Sequence, residues 1–186
     1  MRLRPLSPED AGALLQAGRS PEIWDWLSAM PSTGESMNQW IEAAQRAQRQ
    51  GVELPFTVVR LRDEKVIGST RYLDIQEANR SLEIGWTWYA RDAWGTSVNP
   101  EAKFLLMEHA FERWGAVRVA LKTDARNLRS QAAIRKLGAR YEGTLRNHRI
   151  RRDGSLRDSV IFSIIDSEWP SVKAALARRL AEHSVP

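Results

Sequence analysis

The sequence predicts a mixed α/β fold, and three observations carry that expectation. Two strand-like runs, Phe56 to Leu61 and Val66 to Leu73, flank a polar turn at Arg62 to Lys65 as the arms of a hairpin do. From Leu82 onward strand-like runs alternate with helical ones, an order that places helices over a sheet. Late in the chain Asp153-Gly154 marks a second tight hairpin. Together they predict a mixed, mostly antiparallel central sheet with helices on both faces.

The elements follow in order. Arg2 to Leu6 alternates basic and apolar residues as a strand does, and Ser7-Pro8-Glu9-Asp10 then supplies a cap, a proline and early acids for a helix. Ser20-Pro21-Glu22 repeats that opening. In Ser36 to Gln50, Met37, Trp40, Ile41 and Ala44 recur at helical spacing before Gly51 ends the run. Leu82 to Tyr89 reads as a third antiparallel strand. Asn99, Pro100 and Glu101 read as cap, first helical residue and first-turn acid of a helix that carries on to Trp114. A strand at Arg118 to Thr123, a helix at Ser130 to Leu137 and strands around Tyr141 to Ile150 and Ser159 to Ile165 come next. Ser167-Glu168-Trp169-Pro170 starts a terminal helix whose apolar stripe includes Val172, Ala175, Leu176 and Leu180.

At 186 residues without a linker-like or repetitive stretch, the chain reads as a single domain spanning 1–186. It has no cysteine, which removes disulfides and thiolate metal sites, and no pair of histidines has ligand spacing, so no metal is expected. No apolar run approaches the ~20 residues that span a bilayer, and the polar start lacks a signal core, so a cytoplasmic protein without a membrane partner is expected. Lys and Arg number 28 against 23 acids, a net charge of +5. These charges are scattered, with the densest cluster at Arg146, Arg149, Arg151 and Arg152, so an anionic ligand accounts for them better than direct nucleic-acid binding does. A monomer and a homodimer both fit.

The segment Trp94 to Lys103, W-G-T-S-V-N-P-E-A-K, carries the most chemistry. A glycine turn running into a helix N-terminus offers unpaired N–H groups and the positive end of a helix dipole, a seat for phosphate or pyrophosphate.

Further motifs stand in order: Glu83-Ile84-Gly85-Trp86 on a strand, the Trp94-Gly95 loop, Asn127-Leu128-Arg129-Ser130 before a second helix, and Lys136-Leu137-Gly138-Ala139 closing it. Glu142-Gly143-Thr144-Leu145-Arg146, Asp153-Gly154, Asp158 and Glu168-Trp169 follow. This ordered set resembles the GNAT superfamily of acetyl-CoA-dependent N-acetyltransferases, in the branch similar to the ribosomal-protein N-terminal acetyltransferases. The resemblance is densest from Glu83 to Trp169 and weak before Phe56. It implies a three-layer αβα fold, acetyl-CoA as co-substrate, and an amine acceptor, a protein N-terminus in that branch. A small amine such as a polyamine, amino acid or antibiotic, or a CoA-binding regulator without catalysis, remain alternatives.

The resemblance also implies roles. The family's phosphate loop places Gly95 at its first glycine, while Trp94, Ser97 and Asn99 depart from its Gln or Arg and its later small residues. Thr96, Ser97, Asn99 and Lys103 are expected to meet the pyrophosphate, and Lys136, with Arg126 and Arg129, the 3'-phosphate. Asn127 and Ser130 match the family's Asn-x-x-Ser, the amide touching the pantetheine arm or a catalytic water and the hydroxyl capping the helix near the sulfur. Glu83 is the expected general base and Ser130 the proton donor, because Ile134 stands where many members carry a tyrosine. Backbone N–H groups of Trp86 to Tyr89, Trp88 and Tyr89 included, are the expected donors to the thioester oxygen. His148 is a lesser base candidate. The Trp86 and Trp88 rings, with Trp24, Trp26 and Trp40, are read either as core or as walls of an acceptor pocket.

Overall fold

The computed structural model describes residues 1–182. Its strands are β1 (Arg2–Pro5), β2 (Glu53–Arg60), β3 (Lys65–Gln76), β4 (Ser81–Tyr89), β5 (Arg118–Asp124), β6 (Arg140–Ile150) and β7 (Leu156–Ile165). The helices are α1 (Ala11–Ala17), α2 (Gly34–Arg49), α3 (Val98–Glu108), α4 (Leu128–Arg135) and α5 (Trp169–Glu182). The strands are hydrogen-bonded in the order β1-β2-β3-β4-β5-β7-β6. β1 with β2, β2 with β3, β5 with β7 and β6 with β7 pair antiparallel, whereas β4 and β5 pair parallel, so the sheet is mixed and mostly antiparallel. The chain divides into two compact units, one of Met1–Ile75 with Gly85–Val98, the other of Gln76–Ile84 with the chain from Asn99 onward.

In the first unit the caps set the helices. The Ser7 side chain and the Asp10 carboxylate form a reciprocal capping box around a single 3-10 turn, Pro8–Asp10, that leads into α1. Asp10 is buried and is also bound by Arg4 and, at 2.6 Å, by the Thr57 hydroxyl. α2 begins at Gly34, two residues before the expected start, because Thr33 is its cap and accepts from the Ser36 amide at 3.1 Å. Its apolar stripe, Met37, Trp40, Ile41 and Ala44, is buried in one cluster with Leu6, Leu14, Trp24 and Trp88. The expected helix at Ser20-Pro21-Glu22 is only a 3-10 turn, Pro21–Trp24. It stops there because Trp24 is buried, its indole N–H donating to the Gly18 carbonyl at 2.7 Å.

β4 approaches β3 closely. A Cβ on Gly68 would sit 2.1 Å from the Trp88 carbonyl oxygen, and the Ala90 amide donates to the Ile67 carbonyl at 2.7 Å. Trp86, inside β4, has φ 48°, a left-handed conformation that bulky residues rarely adopt.

In the second unit, Ser81–Glu83 of β4 pair with Arg118–Ala120 of β5. α3 starts at Val98, ahead of the expected Asn99 cap, so Asn99 and Pro100 both fall in its first turn. The missing proline N–H costs nothing there, since the first turn has no intrahelical partner for it. After Glu108 the helix widens into a π turn, His109–Arg113. α4 is capped by Asn127, whose side-chain oxygen accepts from the Ser130 amide at 3.0 Å; Ser130, the expected cap, lies one turn inside. Trp169 at the start of α5 stacks on Phe111, centroids 5.2 Å apart, and donates to Glu112 at 2.8 Å.

Gly68→Ala tests the close passage of β4. The methyl group has no room beside a carbonyl oxygen, so we expect a loss of about 2 kcal/mol or more in urea unfolding, at the upper side of typical overpacking costs. A loss below about 0.5 kcal/mol would show that the two backbones are not held together.

Candidate active site

Expected site residues from the first unit lie on the second half of β4 and the loop after it. Gly95 has φ 75°, and an added Cβ would meet nothing within 4 Å, so the left-handed backbone, not packing, calls for glycine. Among the described residues no group accepts from the amides of Gly95, Thr96 or Ser97. Three such donors beside open space suit an oxyanion such as a pyrophosphate. Thr96 donates to the Ala93 carbonyl at 2.7 Å and receives the Val98 amide at 3.3 Å, which orders the loop. Trp94 folds back: its indole N–H donates to the Tyr89 carbonyl at 2.9 Å, and Arg91 lies 4.4 Å over its ring. Trp88 and Tyr89 are 3% and 7% exposed, so any role toward a ligand falls to their backbone. The Trp88 ring is core, 4.8 Å from Trp24.

In the second unit, Glu83 is held on β4 by Lys122 of β5, at 2.7 Å, with side chains 12% and 19% exposed. Because Glu83 stands opposite Ala120, Lys122 is its diagonal neighbour on the same face of the sheet. His148 of β6 lies near by, its Nδ1 3.0 Å from the Ser159 hydroxyl. Burial first, then the charges of Lys122, Arg149 and Arg157, push this imidazole below its ordinary pKa. Burial also lowers Arg157, against the pull of Asp124 and, more weakly, of Glu83. Glu83 and His148 therefore share two cationic neighbours.

The start of α4 brings Asn127 and Ser130 together. With its oxygen spent on the Ser130 amide, Asn127 keeps its NH₂ for a ligand carbonyl, and the Ser130 hydroxyl has no hydrogen-bond partner among the described residues. Ile134 is buried and apolar at the place the resemblance gives to a tyrosine. Lys136 and Arg126 are exposed at either end of the α4 segment. Asn99 lies in the first turn of α3. Lys103, expected to meet the pyrophosphate, is 4% exposed, and burial lowers its pKa to about 7.

Two features went unread in the sequence. Lys122 as the partner of Glu83 follows from register alone. Arg71 lies between the rings of Trp40 and Trp86; its one sequence signal is a charge inside the apolar run of β3.

Fold and sequence together define an acetyltransferase: residues 1–140 match the acetyltransferase (GNAT) domain. The chain belongs to the GNAT family. A candidate ribosomal N-acetyltransferase of Bacillus subtilis (strain 168), YdaF, is 27% identical over 178 residues, 92% of this chain and 94% of that protein. The crystal structure of a candidate acetyltransferase from T. thermophilus superposes with a TM-score of 0.87 at 36% identity, covering 96% of this chain and 93% of that one. A GCN5-related N-acetyltransferase from Brucella melitensis gives 0.89 at 29% identity, covering 95% and 80%. The protein is an N-acetyltransferase of a family that uses acetyl-CoA as co-substrate. Among the described residues no group of three or more His, Cys, Asp or Glu is placed to hold a metal ion, and no helix is long and apolar enough to cross a membrane.

Lys103 gives a pH test. Its folded pKa of about 7 lies below the ordinary 10.5, so between these values the unfolded chain binds the extra proton and stability rises with pH. Lys103→Met should flatten that rise over pH 7 to about 9.5 in paired melts; parallel curves for the two proteins would contradict it.

Proposed function

We propose that this chain transfers the acetyl group of acetyl-CoA to the α-amine of a protein N-terminus of ribosomal type, by direct attack within a ternary complex. The single observation that carries donor binding is the loop of three amides without acceptors, Gly95 to Ser97, at the entrance to α3. The acceptor class rests on the full-length likeness to the B. subtilis relative. Chemistry favours it too: at pH 7 roughly a tenth of an α-amine with pKa near ~8 is already neutral, against under about a thousandth of a lysine near ~10.4.

Bound acetyl-CoA supplies the activated acyl group. The Gly95, Thr96 and Ser97 amides, with the Ser97 and Asn99 side chains, would hold its pyrophosphate, and Lys136 with Arg126 the 3'-phosphate. The NH₂ of Asn127 would steady the pantetheine arm. Backbone amides of Trp86 to Tyr89 donate to the thioester oxygen as negative charge gathers on it. Glu83 takes the amine proton, directly or through a water, as nitrogen bonds to the acyl carbon and the carbon–sulfur bond breaks. The Ser130 hydroxyl donates toward the departing sulfur. Lys103, buried as it is, takes no part in phosphate binding in this scheme.

The experiment is thiol release with peptide pools alongside thermal shift with acetyl-CoA. Wild type should acetylate N-terminal α-amines and melt at a higher temperature as acetyl-CoA is added, in a concentration-dependent way. Glu83→Gln should keep that shift while kcat falls by about 100-fold or more. An unchanged kcat would remove Glu83 from the mechanism; turnover of polyamines but of no peptide would remove the acceptor assignment.

A further inference from the structure

A cavity of about 340 Å³ in the first unit is lined by the 29–31 segment, α2, Arg71 of β3 and Trp86 of β4. That volume suits a side-chain-sized group, at the small end of ligand pockets, which run from roughly 300 Å³ upward. Arg71 is its one charged lining residue, and only 4% of it is exposed. One guanidinium nitrogen, Nη1, donates to Glu53 at 2.8 Å. Two indoles lie against the group, Trp40 at 4.5 Å and Trp86 at 4.9 Å. What remains is the Nε–Nη2 edge, and the Nε atom is buried with no acceptor among the described residues. Trp40 also lines this cavity, and its indole nitrogen is a second buried donor with no acceptor among the described residues.

This arrangement selects its ligand. Buried donors without acceptors call for an acceptor-only group, which a carboxylate is. With two rings against the group and Nη1 spent on Glu53, the unused Nε–Nη2 edge is what a planar carboxylate binds, taking two N–H groups side by side. Elsewhere in this chain that edge does just this: Arg60 grips Asp63 and Arg151 grips Asp124, each through Nε and Nη2. Glu53 already offsets the Arg71 charge, which suits a monoanion better than a phosphate. Met30, 42% exposed, and Ala29 and Pro31 give the cavity an apolar, adaptable rim.

We infer that this cavity is a subsite for the acceptor, in which the Nε–Nη2 edge of Arg71 binds a carboxylate carried near the acceptor amine. The inference rests on the amine-acetyltransferase reading and deepens it: Arg71 selects among acceptors. The carboxylate is either an acidic side chain close to a peptide N-terminus or the α-carboxylate of a free amino acid.

Two matched pairs separate these sources in thiol-release assays: peptides starting Ser-Glu against Ser-Gln, and serine against serinamide. One pair should show a preference for the carboxylate of about 10- to 100-fold in kcat/KM, the worth of a charge-assisted hydrogen-bond pair. Arg71→Lys keeps the charge but loses the fork, and should bring that preference close to unity. Should Arg71→Lys fail to fold, the neutral double variant Arg71→Gln/Glu53→Gln serves the same purpose. A second readout needs no turnover: the indole N–H resonance of Trp40, assigned with Trp40→Phe, should shift without acetyl-CoA on adding the carboxylate member of the preferred pair, Ser-Glu peptide or serine, and stay put with its amide counterpart. Transfer that ignores the carboxylate in both pairs, or a preference that survives Arg71→Lys, overturns the subsite. Arg71-dependent binding without transfer to any amine overturns the proposed function and leaves the carboxylate site standing.

Discussion

The local constraint on which the first unit depends is the left-handed backbone of Trp86 within β4. A bulky residue at φ 48° costs of order 1–3 kcal/mol and persists only where its surroundings enforce it. Here three contacts do so. Arg71 lies against the Trp86 ring; two residues on, the Trp88 ring is anchored by Trp24 in the apolar cluster; and the Trp88 carbonyl sits against Gly68, where no side chain fits. With the backbone turned at residue 86, β4 carries a cavity-facing indole and a core-facing indole two positions apart. A regular strand would point both toward the same face.

Buried charge is the second organising element. Asp10, Arg71, Glu83 and Asp124 are all removed from water to a large extent, and each holds an opposite charge: Arg4, Glu53, Lys122 and Arg151 respectively. Breaking such pairs costs far more than forming them yields, which makes them rigid supports rather than sources of stability. The pairs at Asp10 and Asp124 also complete turns through backbone amides, at Ser7 and Arg126. The pairs at Glu83 and Arg71 instead leave reactive capacity over, a carboxylate oxygen in one case and the in-plane guanidinium edge in the other.

Much of the fold was legible in the sequence because its elements begin with strong local signals. The Ser7 box, the period of Met37, Trp40, Ile41 and Ala44, and the Asp153-Gly154 turn each rest on interactions within a few residues, and all three elements formed as expected. Boundaries slipped where the cap lay outside the stretch read as helical: Thr33 caps α2 and starts it two residues before Ser36, and Asn127 took the cap expected of Ser130. At Ser20-Pro21 the local helix signal lost to a tertiary one, the burial of Trp24. The candidate site was legible as residue types along the chain, Glu83, Gly95, Asn127 and Ser130, but not as environments. That Lys122 reaches Glu83, that Lys103 is buried, and that Arg71 lies between two indoles all depend on strand register or helix packing, which no short stretch of sequence encodes.

The central claim is that the backbone itself, at Gly95 to Ser97 and along β4 from Trp86, supplies the donors that hold and activate the acyl carrier. Amide hydrogen exchange followed residue by residue, with and without saturating acetyl-CoA, tests it most directly. Exchange should slow at Gly95, Thr96 and Ser97 and over Trp86 to Tyr89, while the β2–β3 hairpin is unaffected. Uniform slowing over the whole chain, or none at these seven amides, would contradict the account.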